Sequence, residues 1–418
     1  MSKGSAADWP ASSAAGAIFA VAVMIGVVAQ GQAAQGSFEL PIDPATCADH
    51  GDDDWAARAL ARSLTPQLGL PAIAHPADNP PTVEKIELGR EIFFDRRLSI
   101  NGTMSCAMCH VPEQGFTVWE LQVAVGVEGR SAKRNAPTVV NSGFLDTLFH
   151  DGRDPALETQ FIAPLVARNE MANPSAGWVV DFLNRDEFYR QRFDAAFGAG
   201  ASLDRIGQAL AAYQRTLVAG NSGFDRWYYG GESDALDAAA QRGFALFDGK
   251  AQCSTCHLLN ETNALFTDQA LHDTGFGFIR ERDRQNPPDT ARVQLAPGVL
   301  VDVDFSRISA VSLPREADLG RYEVTEDPDD RWKFRTPTLR NVAATRPYMH
   351  DGSIGTLRGV LEFYNAGGAG HPEQSPLIVP LGLSGDEMND IESFLKSLTS
   401  PDLGCLASEA RSHPPKNP

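Results

Sequence analysis

Two pentapeptides in this sequence place two cysteines and a histidine at the same spacing: residues 106–110 read Cys-Ala-Met-Cys-His and residues 253–257 read Cys-Ser-Thr-Cys-His. In a C-x-x-C-H stretch the two thiols can add across the vinyl groups of a haem, and the histidine can bind the iron as a neutral imidazole. Zinc sites and thioredoxin-like redox sites also use C-x-x-C, but a histidine directly after both pairs favours haem. The sequence therefore predicts two c-type haems, attached through Cys106, Cys109, Cys253 and Cys256, with His110 and His257 as proximal iron ligands.

Two further cysteines, Cys47 and Cys405, lie near the two ends of the chain. In an oxidising compartment such a pair predicts a disulfide that ties the C-terminal tail to the N-terminal segment. The alternative is two free thiols, and in either case the role is structural.

Residues 1–34 have the composition of a cleaved secretory signal. Lys3 supplies a weakly basic start, residues 14–29 are almost wholly apolar, and small residues follow. The apolar run is short for a helix that spans a bilayer, so we expect cleavage near Ala33 or Ala34 rather than a membrane anchor. Export agrees with the haem motifs, because bacteria attach c-type haem outside the cytoplasm. We therefore expect a periplasmic protein without a membrane attachment after cleavage.

The charge balance narrows the class of partner. The chain has 418 residues and a formal net charge of −18, with 43% hydrophobic and 22% charged residues. These fractions are ordinary for a globular protein, and the length favours two domains. The negative charge argues against nucleic acid, whose binding proteins carry basic patches, and against anionic membrane surfaces. It suits a basic or locally complementary protein partner.

Helical patterns dominate the sequence, which predicts a mainly α fold. Residues 35–80 are rich in Pro, Ala and Asp and should wrap the surface as an extended segment, with one short helix over residues 55–64. Residues 112–141 are expected to be mostly loop, and residues 258–329 to be irregular. Helices are expected over residues 84–94, 152–166, 173–197, 203–219, 235–247, 356–364 and 384–398, with Asn173 as an N-cap before Pro174.

The two halves of the chain match each other in sequence. Ala-Pro-Thr at 136–138 pairs with Thr-Pro-Thr at 336–338, and His-Asp-Gly recurs at 150–152 and 350–352, with the histidine 13 residues after the proline in both halves. A repeat of this kind predicts duplicated single-haem domains. We expect cytochrome c-like domains at residues 81–230 and 231–398, followed by a tail at residues 399–418.

Together these motifs resemble the bacterial diheme cytochrome c peroxidase and MauG superfamily. The resemblance covers residues 88–398 and includes Leu-Gly-Arg-Glu-Ile-Phe-Phe-Asp at 88–95, Arg-Asn-Ala-Pro-Thr at 134–138, Arg-Thr-Pro-Thr-Leu-Arg-Asn at 335–341 and Pro-Tyr-Met-His-Asp-Gly at 347–352. It implies two mostly helical cytochrome c-like domains, each with one haem, and a calcium ion between them. In this family the N-terminal haem reacts with peroxide and the C-terminal haem transfers electrons.

The resemblance also implies an acid–base group beside the first haem. Cleavage of the O–O bond of hydrogen peroxide needs a group that moves a proton from the near to the far oxygen. The family has a glutamine and a glutamate ten residues apart at this place, and Gln160 and Glu170 occupy the matching positions. We therefore expect Glu170 as the catalytic acid–base residue and Gln160 as a hydrogen-bonding residue of the pocket. Without the resemblance, Glu170 would be interpreted as an exposed carboxylate at a helix end.

Two departures from the peroxidase pattern indicate the MauG/MbnH-like branch. Many of the peroxidases have a histidine that covers the first iron, whereas the matching residues 125–129 read Val-Gly-Val-Glu-Gly. The peroxidases also have a methionine ligand to the second iron, and residues 330–333 at that place contain none. The resemblance to MauG implies a tyrosine ligand, which stabilises oxidised iron. Tyr348 is our candidate, with Met349 and His350 as rivals.

Two further sites are matched to the family. The family usually has a tryptophan between the haems, and this chain has His150 at that position. His150 either makes the inter-haem contact or is a structural hydrogen-bonding residue of a turn, in which case Trp119 or Trp332 approaches from elsewhere. The family's calcium ligands match Asn135, Ser312 and Pro314, with waters completing an oxygen shell.

The resemblance implies a MauG-like enzyme that uses hydrogen peroxide to form a high-valent diheme state and then oxidises a residue, expected to be tryptophan, of a periplasmic partner protein. The alternative is a cytochrome c peroxidase that reduces hydrogen peroxide with electrons from a small cytochrome c or cupredoxin. A third reading is an electron carrier without enzymatic activity. Gln160 and Glu170 argue against the carrier, since a carrier needs no acid–base group beside an open iron.

Overall fold

Residues 54–296, 299–309 and 316–412 are described in a computed structural model of the chain. The expected signal peptide (residues 1–34), Cys47, Ser312 and Pro314 lie outside the described residues. No helix in the described part of the chain is long and apolar enough to cross a membrane.

The described chain is mainly α-helical, as expected. The first half, residues 54–222, contains α1 (Trp55–Leu64), α2 (Val83–Phe94), α3 (Cys106–Cys109), α4 (Leu157–Gln160), α5 (Ile162–Val166), α6 (Ala176–Arg185), α7 (Glu187–Phe197) and α8 (Leu203–Gln214). The second half, residues 223–402, contains α9 (Gly223–Tyr228), α10 (Ala238–Asp248), α11 (Phe276–Gln285), α12 (Phe305–Ser309), α13 (Tyr322–Thr325), α14 (Leu357–Asn365) and α15 (Gly385–Ser397), and α16 (Leu403–Ser412) follows.

Two small antiparallel sheets lie in the second half. Strand β1 (Leu271–His272) pairs with β4 (Phe334–Arg335), and β2 (Thr290–Ala296) pairs with β3 (Val299–Asp304). In the second pair Val293 is opposite Val301. The short β1–β4 pair holds the segment after the second haem motif against the start of the Arg-Thr-Pro-Thr stretch.

Each half has its own hydrophobic core. The first core is built from buried residues of α1, α2, α6, α7, α8 and the C-terminal α16, and Cys106 and Cys109 pack against it. The second core is built from α9, α10, α14 and α15, and Cys253 packs against it. The haem motif of each half therefore lies beside a separate apolar cluster.

Equivalent helix pairs frame the two cores. The Thr82 side chain accepts a hydrogen bond from Lys85 N and caps α2, while Ser384 forms a capping box with Glu387 at the start of α15. Helix α2 crosses α8 at Gly89, where an added Cβ would lie 1.9 Å from Ala209 O. Helix α10 crosses α15 at Gly243, where an added Cβ would lie 1.9 Å from Asp390 O. Glycine permits the same close backbone approach in both halves.

Reciprocal backbone hydrogen bonds join the halves. Asn135 N donates to His350 O at 2.8 Å, and Arg335 N donates to His150 O at 2.7 Å. The sequence repeat aligns Asn135 with Arg335 and His150 with His350. Each half therefore makes the same contact to the other. This junction lies where the two His-Asp-Gly turns meet.

The segment after α1 is held by a buried ion pair of the second half. The Arg340 guanidinium donates to Asp225 and to the carbonyls of Gly69 and Ala264. Arg340 and Asp225 are fully buried. Gly69 has a φ of +80°, and an added Cβ would collide with the Asp225 carboxylate, so only glycine fits there. The extended N-terminal segment expected from the sequence thus packs between the halves rather than only over the surface.

Two helix predictions in the first half are wrong in detail. Residues 150–156 make a turn and Pro155 disfavours helix at the residue before it, so helix begins only at Leu157, and the remaining residues form two short helices, α4 and α5, divided at Phe161. Residues 173–197 form α6 and α7, which are separated at Asp186, whose side chain caps α7. Ser175 rather than Asn173 caps α6, since the Asn173 amide is buried and donates to Leu98 O and Leu165 O.

Other boundaries also differ from the predictions. Helix α8 ends at Gln214 instead of residue 219, and α10 begins at Ala238, after the cap residue Asp237. The region 258–329 is not wholly irregular, because it contains α11, α12, α13 and the β2–β3 pair. The alternating apolar and polar residues of both strands are a signal that could have predicted this pair.

The expected tail contains a packed helix. In α16, Leu403, Leu406 and Ala410 are buried in the first core. Arg62 pairs with Glu409 at 2.7 Å, and Arg90 donates to Ala410 O at 2.7 Å. Cys405 in this helix forms a disulfide, but Cys47 lies outside the described residues, so the Cys47–Cys405 pairing stays a prediction.

Candidate haem sites

The first site is built around His110, at the end of α3. Its Nδ1 lies 3.3 Å from Phe116 O, and the residue is half-buried. Burial lowers the pKa of His110, although hydrogen bonding to the backbone at Phe116 and Pro137 opposes this shift. A neutral imidazole whose Nδ1 donates to a carbonyl leaves Nε2 as the metal-binding nitrogen.

The second site repeats this arrangement around His257. Its Nδ1 lies 2.8 Å from Phe266 O, and burial lowers the pKa of the imidazole against hydrogen bonding at Phe266 and Pro337. Pro137 and Pro337 are the prolines that the sequence repeat aligns. Both proximal histidines are thus oriented by the same carbonyl contacts.

Threonines fix the loop beneath each histidine. Thr138 Oγ1 donates to Gly115 O at 2.6 Å, and Thr338 Oγ1 donates to Leu265 O at 2.6 Å. The Pro-Thr pairs at 137–138 and 337–338 are therefore tied to the loops that contain Phe116 and Phe266, whose carbonyls face the two histidines.

The donor set fits two covalently bound haems. The four motif cysteines are free thiols in C-x-x-C spacing beside the two cores. Arg335 is a buried cation between the sites, and its guanidinium donates to Phe149 O and Thr336 O. No acidic partner for it lies within the described residues, and burial lowers its pKa. The carboxylate of a haem propionate would supply the missing counter-charge.

Glu170 lies beside the first haem motif. Burial raises the pKa of the Cys109 thiol to about 12, and the charge of Glu170 adds to this shift. Burial also raises the pKa of Glu170 itself, while the positive charge of Arg153 lowers it. Gln160 is the last residue of α4 and is half-buried, with no side-chain hydrogen bond to the described part of the chain. The Glu170 carboxylate is thus near enough to the Cys106 and Cys109 thiols to act on them electrostatically, and no such effect links Gln160 to the motif.

The loop without a histidine packs directly on the Glu170 segment. Val127 N donates to Glu170 O at 2.9 Å. Gly126 is so close to this segment that an added Cβ would lie 2.3 Å from Asn169 O. Val127 is buried, and neither valine of the loop has an atom that can bind iron.

Tyr348 packs against the second core, as a ligand to the second iron would require. Its hydroxyl donates to Val342 O at 3.1 Å, and burial raises its pKa. His350 is used elsewhere: its ring stacks on Phe334 with centroids 3.9 Å apart, and its Nε2 lies 3.8 Å from Asp318 Oδ2. Met349 follows Tyr348 in a left-handed conformation, with a φ of 71°. Ligation by Tyr348 would replace its hydrogen bond to Val342.

His150 lies at the junction of the halves. Its Nε2 is 2.9 Å from Asn135 O, and burial lowers its pKa to about 3. The imidazole is therefore neutral. Trp332, a rival for the inter-haem contact, packs instead on Phe278 at 5.3 Å.

Asn135 is buried, and its side-chain amide donates to Gln122 O at 3.1 Å. A cluster of charges surrounds the adjacent Arg134, which pairs with Asp151 at 2.5 Å and with Asp318 at 2.7 Å. Hydrogen bonds from Arg134 hold the pKa of Asp318 below its ordinary value, although burial opposes this. Only Asn135 of the expected calcium ligands is described, so the calcium site stays a prediction.

Sequence reasoning missed several residues of the second site. Burial raises the pKa of Tyr364, and the nearby Cys253 and Cys256 add to the effect, which places its phenol beside the haem motif. His272 Nε2 lies 2.7 Å from Asp268 Oδ2, and both lie next to Cys256. Because Cys256 is an expected haem attachment point, this cluster lies at the expected second haem site. Tyr364 lies about a hundred residues after the motif in the chain, and no local sequence signal predicts that it lies near these cysteines.

Comparisons with known proteins agree with this geometry. The family described as di-haem cytochrome c peroxidase matches residues 83–233. A cytochrome-c peroxidase of Denitromonas iodatirespirans, IdrP1, is 37% identical over 82% of this chain and 89% of its own length. The methylamine utilization protein MauG of Methylorubrum extorquens is 36% identical over 84% of this chain and 87% of its own length.

Among solved structures, a MauG-like protein associated with microbial copper homeostasis superposes with a TM-score of 0.65. The two sequences are 32% identical, and the match covers 85% of this chain and 98% of the MauG-like protein. The chain belongs to the di-haem cytochrome c peroxidase and MauG family. It is an oxidoreductase of the haem peroxidase type.

Proposed function

We propose that this chain is a periplasmic diheme enzyme of the MauG type, which uses hydrogen peroxide to oxidise a tryptophan of a partner protein. The observation that carries the proposal is the loop at residues 125–129, which packs on Glu170 through Val127 and contains no histidine. A haem iron held at His110 would then have no histidine from this loop covering it, so peroxide could reach it in the fully oxidised protein.

The architecture proposed for this activity is two cytochrome c-like domains, at residues 81–230 and 231–398, that arose by duplication and hold one haem each. The equivalent glycine crossings, histidine contacts and reciprocal junction hydrogen bonds support it. When bound, the haems supply the redox equivalents. A calcium ion near Asn135 is part of the proposal.

Two residues of the first half are proposed to act on peroxide, one by transferring its proton and one by orienting it. Glu170 as a carboxylate accepts the proton of the near oxygen and returns it to the far oxygen, which leaves as water. Burial raises the pKa of Glu170, against the charge of Arg153, and so makes its carboxylate a stronger proton acceptor. The half-buried Gln160 amide is proposed to orient peroxide by a hydrogen bond.

Residues of the second half and the junction serve electron transfer. Tyr348 is proposed as the sixth ligand of the second iron, because it alone of the three candidates packs against the second core while His350 is held by Phe334 and Asp318. His150 is proposed as the inter-haem contact, since its backbone is bonded to Arg335 of the other half.

A cytochrome c peroxidase is the second candidate, because the IdrP1 peroxidase matches this chain as well as MauG does. The similarity to a copper-homeostasis protein instead favours a MauG-type role with a metal-handling partner. The test is to add hydrogen peroxide to the fully oxidised, haem-loaded protein without a reductant. The MauG-type proposal expects an immediate change in the haem absorbance. A protein that responds only after one haem has been reduced would contradict it and favour the peroxidase.

A further inference from the structure

An aromatic cluster connects the second haem site to the protein surface. It lies where α9, α10 and α15 meet and includes Tyr228, Phe244 and Phe394, which pack next to the second core. Such a cluster is first of all apolar packing. Its two ends are less ordinary, because one is the proximal histidine of a haem motif and the other is an exposed phenol.

One route through the cluster consists of ring contacts alone. The ring centroid of Tyr228 lies 5.3 Å from that of Phe244, which lies 5.5 Å from Phe394. Phe394 is 4.9 Å from Phe247, and Phe247 is 6.4 Å from the His257 ring. Each step joins π-systems in contact, so an electron can cross without a gap of saturated side chain.

A second route ends in a hydrogen bond. Tyr228 stacks on Phe224 at 5.2 Å with the ring planes 15° apart, and Phe224 lies 5.4 Å from Phe266. The carbonyl of Phe266 is the group that lies 2.8 Å from Nδ1 of His257. Both routes therefore converge on the imidazole that would bind the second iron.

The outer end carries the side chains that can be oxidised. Tyr228 is 46% exposed, and the half-buried Trp227 lies 5.9 Å from it, ring to ring. Phenol and indole lose an electron far more readily than the phenyl rings between them and His257. Because Tyr228 contacts water, its phenol can release the proton that accompanies the loss of an electron.

The first half has no such exit among its described residues. Phe93 lies 6.4 Å from the His110 ring and 5.4 Å from Tyr213, which occupies the place of Phe394. Tyr213 is 2% exposed, and its hydroxyl has no hydrogen-bond partner within the described part of the chain. Phe93 also lies 5.4 Å from the half-buried Phe94, but a phenyl ring is much harder to oxidise than a phenol or an indole.

We propose that Tyr228 and Trp227 form the surface end of an electron-transfer path to His257, and that the indole of the partner protein is oxidised through them. This inference rests on the proposed function, which supplies hydrogen peroxide as the oxidant. Hydrogen peroxide takes up two electrons and two protons and leaves as two water molecules. The electrons pass singly from Tyr228 or Trp227 to the second haem site, and the phenol proton goes to solvent. The partner's indole then returns the electrons and protons, and so loses two electrons in all.

The test uses the haem-loaded full chain without any partner, so that oxidation accumulates at the surface end of the path. Hydrogen peroxide is added with a nitroso spin trap, and the trap adduct is located by peptide mass spectrometry. We expect adducts at Tyr228 and Trp227. In a Tyr228→Phe, Trp227→Phe variant these adducts should disappear, and the haem absorbance change produced by peroxide should decay more slowly than in the wild type.

Matched controls are Trp178→Phe and Tyr322→Phe. Trp178 is a half-buried indole of the first half that stacks on Phe182 at 6.2 Å, and Tyr322 packs on Arg331. Neither change should alter the adducts or the decay. A protein that responds to peroxide but carries the trap elsewhere, with Tyr228 and Trp227 unlabelled, would overturn this inference alone. A protein whose haem absorbance does not respond to peroxide would overturn the proposed function and this inference with it.

Discussion

The two halves share the frame that holds a proximal histidine and differ in what surrounds it. In both, a glycine crossing brings two helices together, a carbonyl orients the histidine, and a Pro-Thr pair fixes the loop. Beyond that frame, the first half has the half-buried carboxylate of Glu170 near its motif, while the second has Tyr348 and an aromatic cluster that reaches the surface. In the function proposed above, the shared frame would hold a haem in each half, and the different surroundings would divide proton chemistry from electron transfer.

The largest effect is expected on the rate of reaction with hydrogen peroxide, when the proton-moving carboxylate of the first half is removed. Glu170→Gln should slow the reaction with hydrogen peroxide by about 100- to 10,000-fold, because an amide cannot accept the proton. The measurement is stopped-flow absorbance of the haem-loaded protein. Glu128→Gln, an exposed carboxylate of the adjacent loop, is the control and should react at the wild-type rate. Equal rates for Glu170→Gln and the wild type would show that Glu170 does not move the proton, and would contradict the proposed chemical difference between the halves.

A buried ion pair distinguishes the core of the second half. Arg340 occupies the position equivalent to Val140 and pairs with Asp225. Asp225→Ala should lower the free energy of unfolding by about 3–5 kcal/mol, because it leaves a buried guanidinium without its partner. Urea denaturation measures the change. Arg242→Ala removes an exposed pair with Asp390 and should have a far smaller effect. Similar losses for both variants would contradict the special role of the buried pair.

The shared frame should respond alike in both halves. Gly89→Ala and Gly243→Ala each push a methyl group against a backbone carbonyl and should each cost about 1–3 kcal/mol of stability. Gly385→Ala, at the first position of α15, meets nothing within 4 Å and should not destabilise the protein. Thermal unfolding of the three variants checks this. A cost at only one crossing would show that the frames are not equivalent.

The smallest effect concerns the pH dependence of the first half. Glu170 must be ionised to accept a proton, and burial raises its pKa, so the rate with peroxide should rise with pH through a midpoint above the ordinary value of 4.5. Arg153→Gln removes the charge that lowers this pKa and should move the midpoint to higher pH. Arg130→Gln, whose partner is the exposed Glu128, should leave it in place. A midpoint that moves to lower pH in Arg153→Gln would contradict the assignment.

The residues that could be found from sequence are those with a fixed local pattern. The haem motifs, the helices around residues 84–94 and 384–398, and the family were all indicated by spacing that a linear chain displays. The break between α6 and α7 was missed because the apolar pattern runs on through Asp186. The break depends on the Asp186 side chain, which caps α7 and pairs with the distant Arg97. Arg335, Tyr364 and the Tyr228 cluster depend on contacts between distant segments, which no local pattern displays.

The most direct test of the central claim is the EPR and absorption spectrum of the fully oxidised, haem-loaded protein and of a Tyr348→Phe variant. We expect one high-spin haem and one low-spin haem with tyrosinate ligation, reaction with one equivalent of hydrogen peroxide without reductant, and loss of the low-spin signal in the variant. A far-red charge-transfer band of methionine ligation, with no reaction until one haem is reduced, would contradict it.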